Sequence, residues 1–440
     1  MGSSETVKIE RMSYGPDAIA HRADGKTLFV SGGVPGETVS IRVVEEKPSF
    51  AHAKIEAIET PSPDRVQPAS PEDEACGTAP WQHLSYEAQL QAKRDHVVGA
   101  LTHTAHFDRD RAERVVGACI GSKRQWGYRN KIELAATVDA GGRFEVGFHR
   151  EGTDEIVPSL RTRLAHKQIE RAPKALRGAI RYAQGASELG IYRIGVRHSL
   201  ATGELEVACW TRPGPFPRAV FATTLSAALK ATSVVRVLAE PGKARKIKGV
   251  EVLDGRGYWR ERIGQMEFST AAPSFFQVNT VQAERLVSLV LEGLGDIDGK
   301  FVADLYAGGG TFSIPLALAG AEVTAIESAG SSVRDLRFNA DLNEVYVDVL
   351  GGDSARELAE LGQLDALVVD PPRAGLAREV PGLIADASPE RMAYVSCDPQ
   401  TWARDVARLE EVGYRLERAV PVDMFPQTYH VETASFFVRE

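Results

Sequence analysis

Short apolar strands alternate with helical segments from about residue 266 to the end of the chain. This regular alternation is typical of a doubly wound α/β sheet, in which parallel strands lie between two layers of helices. In such a sheet the ligand binds at the carboxyl ends of the strands. The pattern therefore constrains the fold of the C-terminal part of the chain and the edge at which its functional side chains should lie.

Cys397 lies at one of these predicted strand ends. It follows the apolar run of residues 392–396, and Asp398 and Pro399 come next, with the chemistry of a helix N-cap and first helical position. The positive end of a helix favours a thiolate over a thiol, although the carboxylate of Asp398 partly opposes that effect. This position predicts a nucleophilic cysteine, with an inert buried cysteine as the alternative.

Two carboxylates occupy similar positions. Residues 364–370 form another predicted strand, which the next two prolines stop, so Asp370 is expected to be exposed at the same edge as the cysteine. Near the C-terminus, residues 423–432 combine two aromatic residues, a histidine and Glu432 before a last strand around residues 436–438. One cysteine, one aspartate and one glutamate are thus predicted at the ends of the last strands.

A glycine-rich turn, residues 307–311, follows a predicted strand at 301–306, and the next strand ends at Glu327. Glycines let the backbone approach a ligand closely, and an acidic residue at the end of the second strand can accept both hydroxyls of a ribose. This arrangement predicts an adenosine-containing cofactor and leaves S-adenosylmethionine and NAD open. Ser313 stands where the dinucleotide fingerprint has Gly or Ala, which weakens the NAD interpretation.

Five separated motifs resemble those of the RNA 5-methyluridine methyltransferases, in the order and spacing of that family. The motifs lie at residues 275–279, 304–312, 370–375, 396–399 and 423–432. The segment up to about residue 60 resembles the TRAM domain, a small RNA-binding barrel that many members carry. The resemblance therefore covers essentially the whole chain.

The resemblance and the composition along the chain together imply an α/β protein of four segments. We expect an OB-like TRAM β-barrel in residues 1–60 and a linker with a degenerate iron–sulfur region in residues 61–90. Residues 91–265 should form a mixed α+β RNA-binding domain. Residues 266–440 should form a Rossmann-like class I methyltransferase domain with a mostly parallel, doubly wound sheet.

The family's reaction, carried over to the matching residues, implies methylation of uracil at C5 with S-adenosylmethionine. In the family's scheme the thiolate, here of Cys397, adds to C6 of uracil, and C5 then takes the methyl group. A base, here Glu432, removes the C5 proton before the thiolate leaves. Partial burial would raise the pKa of this glutamate and suit it to the role of general base.

The resemblance also implies binding residues at the motif positions. Arg373 and His430 are expected to support the uracil pocket. Arg129, which lies in a basic cluster outside these motifs, is expected to bind the RNA. Contacts to S-adenosylmethionine are predicted for Gln277, Tyr306, Thr311, Glu327, Asp353 and Asp370. Two positions depart from the family pattern, because Ala307 replaces a usual cysteine and Asp398 replaces a usual asparagine. The second change could weaken stabilisation of the thiolate or a contact to the base.

Many family members bind an iron–sulfur cluster through four cysteines, and most of these cysteines are missing here. Cys76 remains, whereas Ser70, Ala79 and Thr162 stand at the other three positions. A cubane cluster needs four soft ligands, so we expect no iron–sulfur cluster and no other metal. The remaining cysteines, Cys119 and Cys209, are expected in the hydrophobic core.

The net charge of −8 argues against indiscriminate binding of polyanions. RNA affinity then depends on clustered cations that displace counterions. Clusters occur in the predicted middle domain at Lys123 and Arg124, at Arg129 and Lys131, at residues 161–181 and at residues 243–248. We expect a basic surface facing the catalytic cleft, with ordinary solvated faces as the alternative. The barrel and the middle domain should add RNA affinity, while the C-terminal part carries the chemistry.

We therefore predict an enzyme that makes 5-methyluridine in structured RNA, with 23S rRNA favoured over tRNA. One alternative is a methyltransferase of similar fold that acts on another base or on DNA. The other is a non-catalytic RNA-binding folding factor, against which the intact Cys397, Asp370 and Glu432 argue. The cysteines suggest no disulfide framework, and no apolar run approaches the roughly 20 residues of a membrane span. We expect a cytoplasmic monomer that binds RNA and no membrane.

Overall fold

The structure is a computed structural model that describes residues 4–150, 152–185, 187–242 and 246–440. Its strands form one six-stranded sheet, two seven-stranded sheets and a two-stranded ribbon. In the described part of the chain, no helix is both long and apolar enough to cross a membrane.

The first sheet is N-terminal, and its strand order is β1-β5-β6-β4-β3-β2. Its strands are β1 (Ser4–Lys8), β2 (Arg11–Met12), β3 (Ala18–His21), β4 (Thr27–Ser31), β5 (Thr38–Glu46) and β6 (Phe50–Thr60). Alternate residues of β4 and β5 are buried, and β1 also contacts β3, so the sheet curls around an apolar core. Trp81 and Leu84 join this core from the segment that follows.

The segment predicted as a linker packs against its neighbours. It contains a short helix and the start of a long one, and a third helix follows: α1 (Pro71–Cys76), α2 (Tyr86–His103) and α3 (Arg109–Val115). Trp81 is completely buried, and its indole nitrogen donates a hydrogen bond to the carbonyl of Gly15 at 3.0 Å. The segment thus joins the N-terminal sheet to the rest of the protein.

The second sheet, or middle sheet, has the strand order β13-β12-β11-β10-β7-β8-β9. Its elements are β7 (Lys131–Val138), β8 (Phe144–His149), β9 (Ile156–Pro158), α4 (Ala172–Gln184), β10 (Ile191–His198), β11 (Leu205–Thr211), α5 (Arg218–Leu229), β12 (Ser233–Ala239) and β13 (Ile247–Gly255). Leu176 and Ile180 of α4 pack with Phe221 and Leu225 of α5 in one core. Their spacing of four residues places each pair on one face of its helix.

The C-terminal part begins with the ribbon and continues into the third sheet. Its elements are β14 (Tyr258–Ile263), β15 (Met266–Ala271), α6 (Thr280–Leu294), β16 (Phe301–Leu305), α7 (Ser313–Leu318), β17 (Glu322–Glu327), α8 (Gly330–Leu342), β18 (Asp348–Gly351), α9 (Ser354–Glu360), β19 (Ala366–Val369), α10 (Val380–Ala387), β20 (Arg391–Ser396), α11 (Pro399–Glu411), β21 (Tyr414–Val422) and β22 (Glu432–Arg439). The sheet order is β18-β17-β16-β19-β20-β22-β21.

Strands β16 to β20 of this sheet run parallel, whereas β22 runs antiparallel to both β20 and β21. The residues of β16, β19 and β20 are almost all buried because helices cover both faces, which explains their continuous apolar sequence. The predicted α/β fold is therefore confirmed. The carboxyl ends of the parallel strands meet along one edge.

A buried ion pair joins α2 to the loop between β21 and β22. The side chains of Lys93 and Asp423 are fully buried, and the lysine also donates to the carbonyl of Phe425 at 3.1 Å. The hydroxyl of Tyr86 donates to the same aspartate at 2.7 Å. These contacts hold the loop that leads into Glu432.

Replacing this lysine by methionine should therefore destabilise the protein strongly. Lys93→Met keeps the length of the side chain but leaves the charge of Asp423 buried and unpaired, which typically costs about 3–5 kcal/mol. Urea denaturation measures the change, with the exposed Arg109→Met as a control that should change stability little. A loss below about 1 kcal/mol would show that the pair does not stabilise the loop.

Candidate active site

Four predicted site residues lie along the carboxyl edge of the third sheet. Tyr306 follows β16, Glu327 ends β17, Asp370 follows β19 and Cys397 follows β20. All four are half-buried. Asp370 was expected to be exposed, but the neighbouring elements enclose it, and burial together with the charge of Asp304 raises its pKa to about 7.

The thiol of Cys397 lies among acidic groups. Its pKa is raised to about 12, mainly by burial and also by the charges of Glu432 and Asp370, while Arg373 opposes them. Asp398 also raises this pKa, and as the N-cap of α11 it accepts the backbone N–H groups of Gln400 and Thr401. The helix end, which was expected to favour the thiolate, is therefore outweighed by burial and by the neighbouring carboxylates.

Glu432 is the first residue of β22 and is buried. Burial raises its pKa well above the usual range, and the charge of Asp370 adds to this effect. Cys397, Glu432 and Asp370 thus interact electrostatically, although they come from three different strand ends. Such a group can hold and release a proton near a reacting atom.

The glycine-rich turn after β16 is held by Glu327. One carboxylate oxygen accepts the N–H of Gly308 at 2.9 Å, and the other accepts the N–H of Ala329 at 2.6 Å. Tyr306 begins the turn with φ of 64°, in the left-handed region that a bulky residue rarely adopts. Strain of this kind is often found at ligand sites. The carboxylate keeps lone pairs for further donors such as ribose hydroxyls.

Asp304 lies below this turn, within β16, and was not among the predicted site residues. It is fully buried, burial raises its pKa to about 7, and the hydroxyl of Ser313 donates to it at 2.5 Å. Ser313, which weakened the NAD interpretation, therefore ties α7 to β16. The signal available in the sequence was an acidic residue inside an otherwise apolar strand.

The remaining predicted cofactor contacts differ in their placement. Thr311 is half-buried in the glycine turn, and Asp353 is exposed as the N-cap of α9, beyond β18 at the same edge. Gln277 is buried in the loop before α6, and its carbonyl accepts a hydrogen bond from Asn130 at 2.8 Å. The backbone N–H of Asn130 donates to Val278 at 2.8 Å. Sequence reasoning missed Asn130, a buried amide that joins the middle sheet to the Gln277 loop.

Two predicted substrate residues line one cavity of about 460 Å³ between the middle sheet and the β21–β22 loop. Arg129 and His430 both contribute to its wall, together with the exposed Phe275. The pKa of His430 is lowered to about 4, mainly by burial and also by the charges of Arg373 and Arg129, so the ring is neutral at pH 7. Arg373 itself is exposed and lies 3.4 Å from the carboxylate of Asp398.

Two of the four positions that correspond to iron–sulfur ligands, Ser70 and Thr162, are linked by the buried Asp73. The carboxylate of Asp73 accepts hydrogen bonds from Ser70 and Thr162 at 2.6 Å each, from Thr78 at 2.8 Å and from the N–H of Arg163 at 2.8 Å. Two of these donors stand where thiolates would be required. The residues present therefore do not fit a four-thiolate cluster.

The three cysteines that lie away from the carboxyl edge of the third sheet differ in burial. Cys76 and Cys209 are buried, and burial raises the pKa of the Cys76 thiol. Cys119 was expected in the core but is half-buried.

Anaerobically purified protein is accordingly expected to be colourless. Ser70, Ala79 and Thr162 supply no thiolate, so iron and sulfide should be far below stoichiometric amounts. Metal analysis and the visible absorption spectrum check this expectation. A brown preparation with four irons per chain would contradict the assignment of these positions.

The predicted basic clusters divide into paired and exposed groups. In the stretch of residues 161–181, Arg161 pairs with Glu72, and Arg181 pairs with Glu145. Carboxylates therefore neutralise part of the positive charge of this stretch. Lys123 is exposed. Arg124 and Lys167 are also exposed and line a depression with Trp126. Lys246 and Lys248 are exposed, and Lys248 pairs with Glu240 at 2.8 Å, whereas Lys243 and Arg245 lie outside the described residues.

Known proteins resemble the chain over its full length. The family described as tRNA (uracil-5-)-methyltransferase matches residues 222–363 and 357–440, and the TRAM domain matches residues 1–55. An uncharacterized RNA methyltransferase of Gloeobacter violaceus is 35% identical, covering 100% of this chain and 97% of its own. One of Lactobacillus johnsonii is 32% identical, covering 98% of each chain.

A solved structure extends this likeness to three dimensions. The tRNA (uracil-54, C5)-methyltransferase of Pyrococcus abyssi, in complex with S-adenosyl-L-homocysteine, superposes with a TM-score of 0.75 at 27% identity. The match covers 98% of this chain and 99% of that chain. The likeness of fold therefore extends over nearly the full length of both proteins.

Proposed function

The chain belongs to the tRNA (uracil-5-)-methyltransferase family, and on that premise we propose that it methylates a uridine in structured RNA at C5 through a covalent adduct of Cys397 with C6. As a member of this family it is an RNA methyltransferase that uses S-adenosylmethionine. The observation that carries the proposal is that Cys397 interacts electrostatically with Glu432 and Asp370 at the carboxyl edge of the sheet.

The proposed roles follow from the chemistry of uracil. C5 is too weak a nucleophile until a group adds to C6, and we assign this role to the sulfur of Cys397. The Cys397 thiol first gives its proton to solvent, the Sγ–C6 bond then forms as the C5–C6 π bond breaks, and the ring becomes an enolate. After methyl transfer, Glu432 takes the C5 proton, the C5–C6 double bond returns and the sulfur leaves as a thiolate.

Electrostatics explain how the acids at this edge work together. The charges of Glu432 and Asp370 raise the pKa of Cys397, and the charge of Asp370 also raises that of Glu432, so the three groups do not all ionise at neutral pH. A positive charge beside them would lower each pKa. Bound S-adenosylmethionine supplies the methyl group and carries such a charge on its sulfonium.

We propose that the cofactor is held along the same edge. The backbone of the glycine turn is open at Gly308, where a Cβ atom would meet no neighbour within 4 Å. The carboxylates of Glu327 and Asp353 are placed to accept hydroxyl or amine donors. The six residues that would hold the cofactor are Gln277, Tyr306, Thr311, Glu327, Asp353 and Asp370.

We propose that the RNA enters across the middle sheet. The cavity next to Arg129 and His430 combines cationic and aromatic groups, which suits an unpaired base that has left its stack. The depression with Arg124, Trp126 and Lys167 adds further cations and an indole ring. Arg163 lies 5.1 Å from the centre of that ring.

Charge reversal in this depression is expected to weaken RNA binding. Arg124→Glu and Lys167→Glu should each lower affinity for RNA and make it less dependent on salt, by roughly 0.7–0.9 in the log–log slope for each phosphate that the variant no longer binds. Lys230→Glu, an exposed lysine at the end of α5, is the matched control. Unchanged slopes in both variants would assign the RNA surface to another part of the protein.

Mapping of modified bases would identify the target RNA. The Pyrococcus abyssi enzyme is named for uridine 54 of tRNA, whereas for this chain we propose 23S rRNA as the target. In cells lacking this gene we expect one or more 5-methyluridines to disappear from 23S rRNA. Their disappearance from tRNA instead would assign the enzyme to tRNA.

We also propose a division of labour along the chain. Residues 1–60 and 91–265 bind RNA, residues 61–90 connect them, and residues 266–440 carry the chemistry. We propose that the enzyme acts as a cytoplasmic monomer. Light scattering of the purified protein tests the monomer, since a mass of twice 47.7 kDa would exclude it.

A further inference from the structure

A tyrosine of the N-terminal sheet reaches the catalytic edge. Tyr14 lies in the loop between β2 and β3, and its hydroxyl is 3.3 Å from the carbonyl oxygen of Cys397, 383 residues away in sequence. The pairing of β20 with β22 ends at Ser396. The carbonyl of Cys397 therefore lies beyond the strand ladder, where a side chain can bind it.

The loop that carries this tyrosine is held on both sides. The indole of Trp81 donates to the carbonyl of Gly15 at 3.0 Å, and Nε2 of His96 lies 3.2 Å from the carbonyl of Met12. The phenol ring also makes edge contacts with His96 at 5.5 Å and with Tyr429 at 5.6 Å. These contacts fix the ring before any ligand binds.

The chemical state of the phenol suits a donor. Burial raises the pKa of Tyr14 far above its usual value, and the charge of Asp398 raises it further, while Arg373 opposes them. The hydroxyl therefore stays protonated throughout the neutral range. Among the groups that act on it are also Cys397 and Glu432, which places the phenol beside the reacting groups.

We propose that Tyr14 is a positioning residue for Cys397. Its hydroxyl donates to the Cys397 carbonyl and holds the junction of β20 and α11. The sulfur of Cys397 then keeps its direction toward the uracil ring. The N-terminal sheet thereby forms part of the catalytic centre in addition to binding RNA. This inference rests on the proposed role of Cys397 as the nucleophile.

The test is Tyr14→Phe, which removes the hydroxyl and keeps the ring contacts. A hydrogen bond of this kind corresponds to a rate effect of about three- to tenfold. We expect single-turnover methyl transfer, and adduct formation with 5-fluorouridine RNA, to slow by that factor. The affinities for RNA and for S-adenosylmethionine and the melting temperature should stay the same, because packing is unchanged. Tyr182→Phe, at a tyrosine that is 76% exposed, is the control and should keep the wild-type rate.

Each outcome supports or overturns the role of this hydroxyl. A Tyr14→Phe enzyme with the wild-type rate would overturn it. A loss of RNA affinity with an unchanged rate at saturating RNA would also overturn it, since the hydroxyl would then belong to the RNA-binding surface. If the wild-type enzyme itself formed no adduct, the proposed function would fail first and this inference with it.

Discussion

Replacing Cys397 by alanine is expected to abolish both methylation and the covalent protein–RNA adduct. Without the sulfur, C6 receives no nucleophile and C5 stays too electron-poor to accept the methyl group. We expect the rate to fall by roughly a thousandfold or more. The cofactor contacts proposed above do not include this side chain, so affinity for S-adenosylmethionine should persist.

The adduct can be measured directly with RNA that contains 5-fluorouridine. A fluorine at C5 cannot be removed as a proton, so the enzyme should remain attached to the RNA after methyl transfer. Cys119→Ala is a matched control, because Cys119 is also half-buried and burial also raises the pKa of its thiol to about 12. An adduct that persists in Cys397→Ala would refute the assignment of the nucleophile.

Glu432→Gln is expected to accumulate the adduct with ordinary RNA. Glutamine keeps the shape of the side chain but cannot take the C5 proton, so methyl transfer should proceed and release should stall. Turnover should fall by about a hundred- to ten-thousandfold. Denaturing gels of the protein with labelled RNA would show the trapped complex.

A buried carboxyl elsewhere in the protein provides the control for this variant. Glu206 of β11 is buried, and burial raises its pKa to about 7. Glu206→Gln therefore changes a similar group outside the proposed site and should not trap RNA. Normal turnover of Glu432→Gln without a trapped complex would mean that another group removes the proton.

The N-terminal sheet contacts both the following segment and Cys397, so its deletion would disturb more than RNA binding. From the sequence, we expected this segment to add RNA affinity and the C-terminal part alone to carry the chemistry. Trp81 and Leu84 complete the core of the N-terminal sheet, and Tyr14 contacts Cys397. Removing the sheet would expose this core and the junction of β20 and α11 together, so point variants test RNA binding and the proposed catalysis separately better than a deletion does.

Local patterns in the sequence were sufficient for the fold of the C-terminal part and for the edge that carries the site. Strand direction, the stop after Asp370, the helix cap at Asp398 and the glycine turn are properties of a few neighbouring residues each. Because parallel strands share one carboxyl edge, Tyr306 and Cys397 could be placed there before any contact was known.

Only the tertiary structure decided the contacts between distant segments and the direction in which the pKa of Cys397 is shifted. The bonds from Asn130 to the Gln277 carbonyl and from Tyr14 to the Cys397 carbonyl join residues 147 and 383 positions apart. Sequence periodicity is local and does not encode such pairs. The pKa of Cys397 depends on burial and on carboxylates from other strand ends, so a favourable helix end was not enough to predict it.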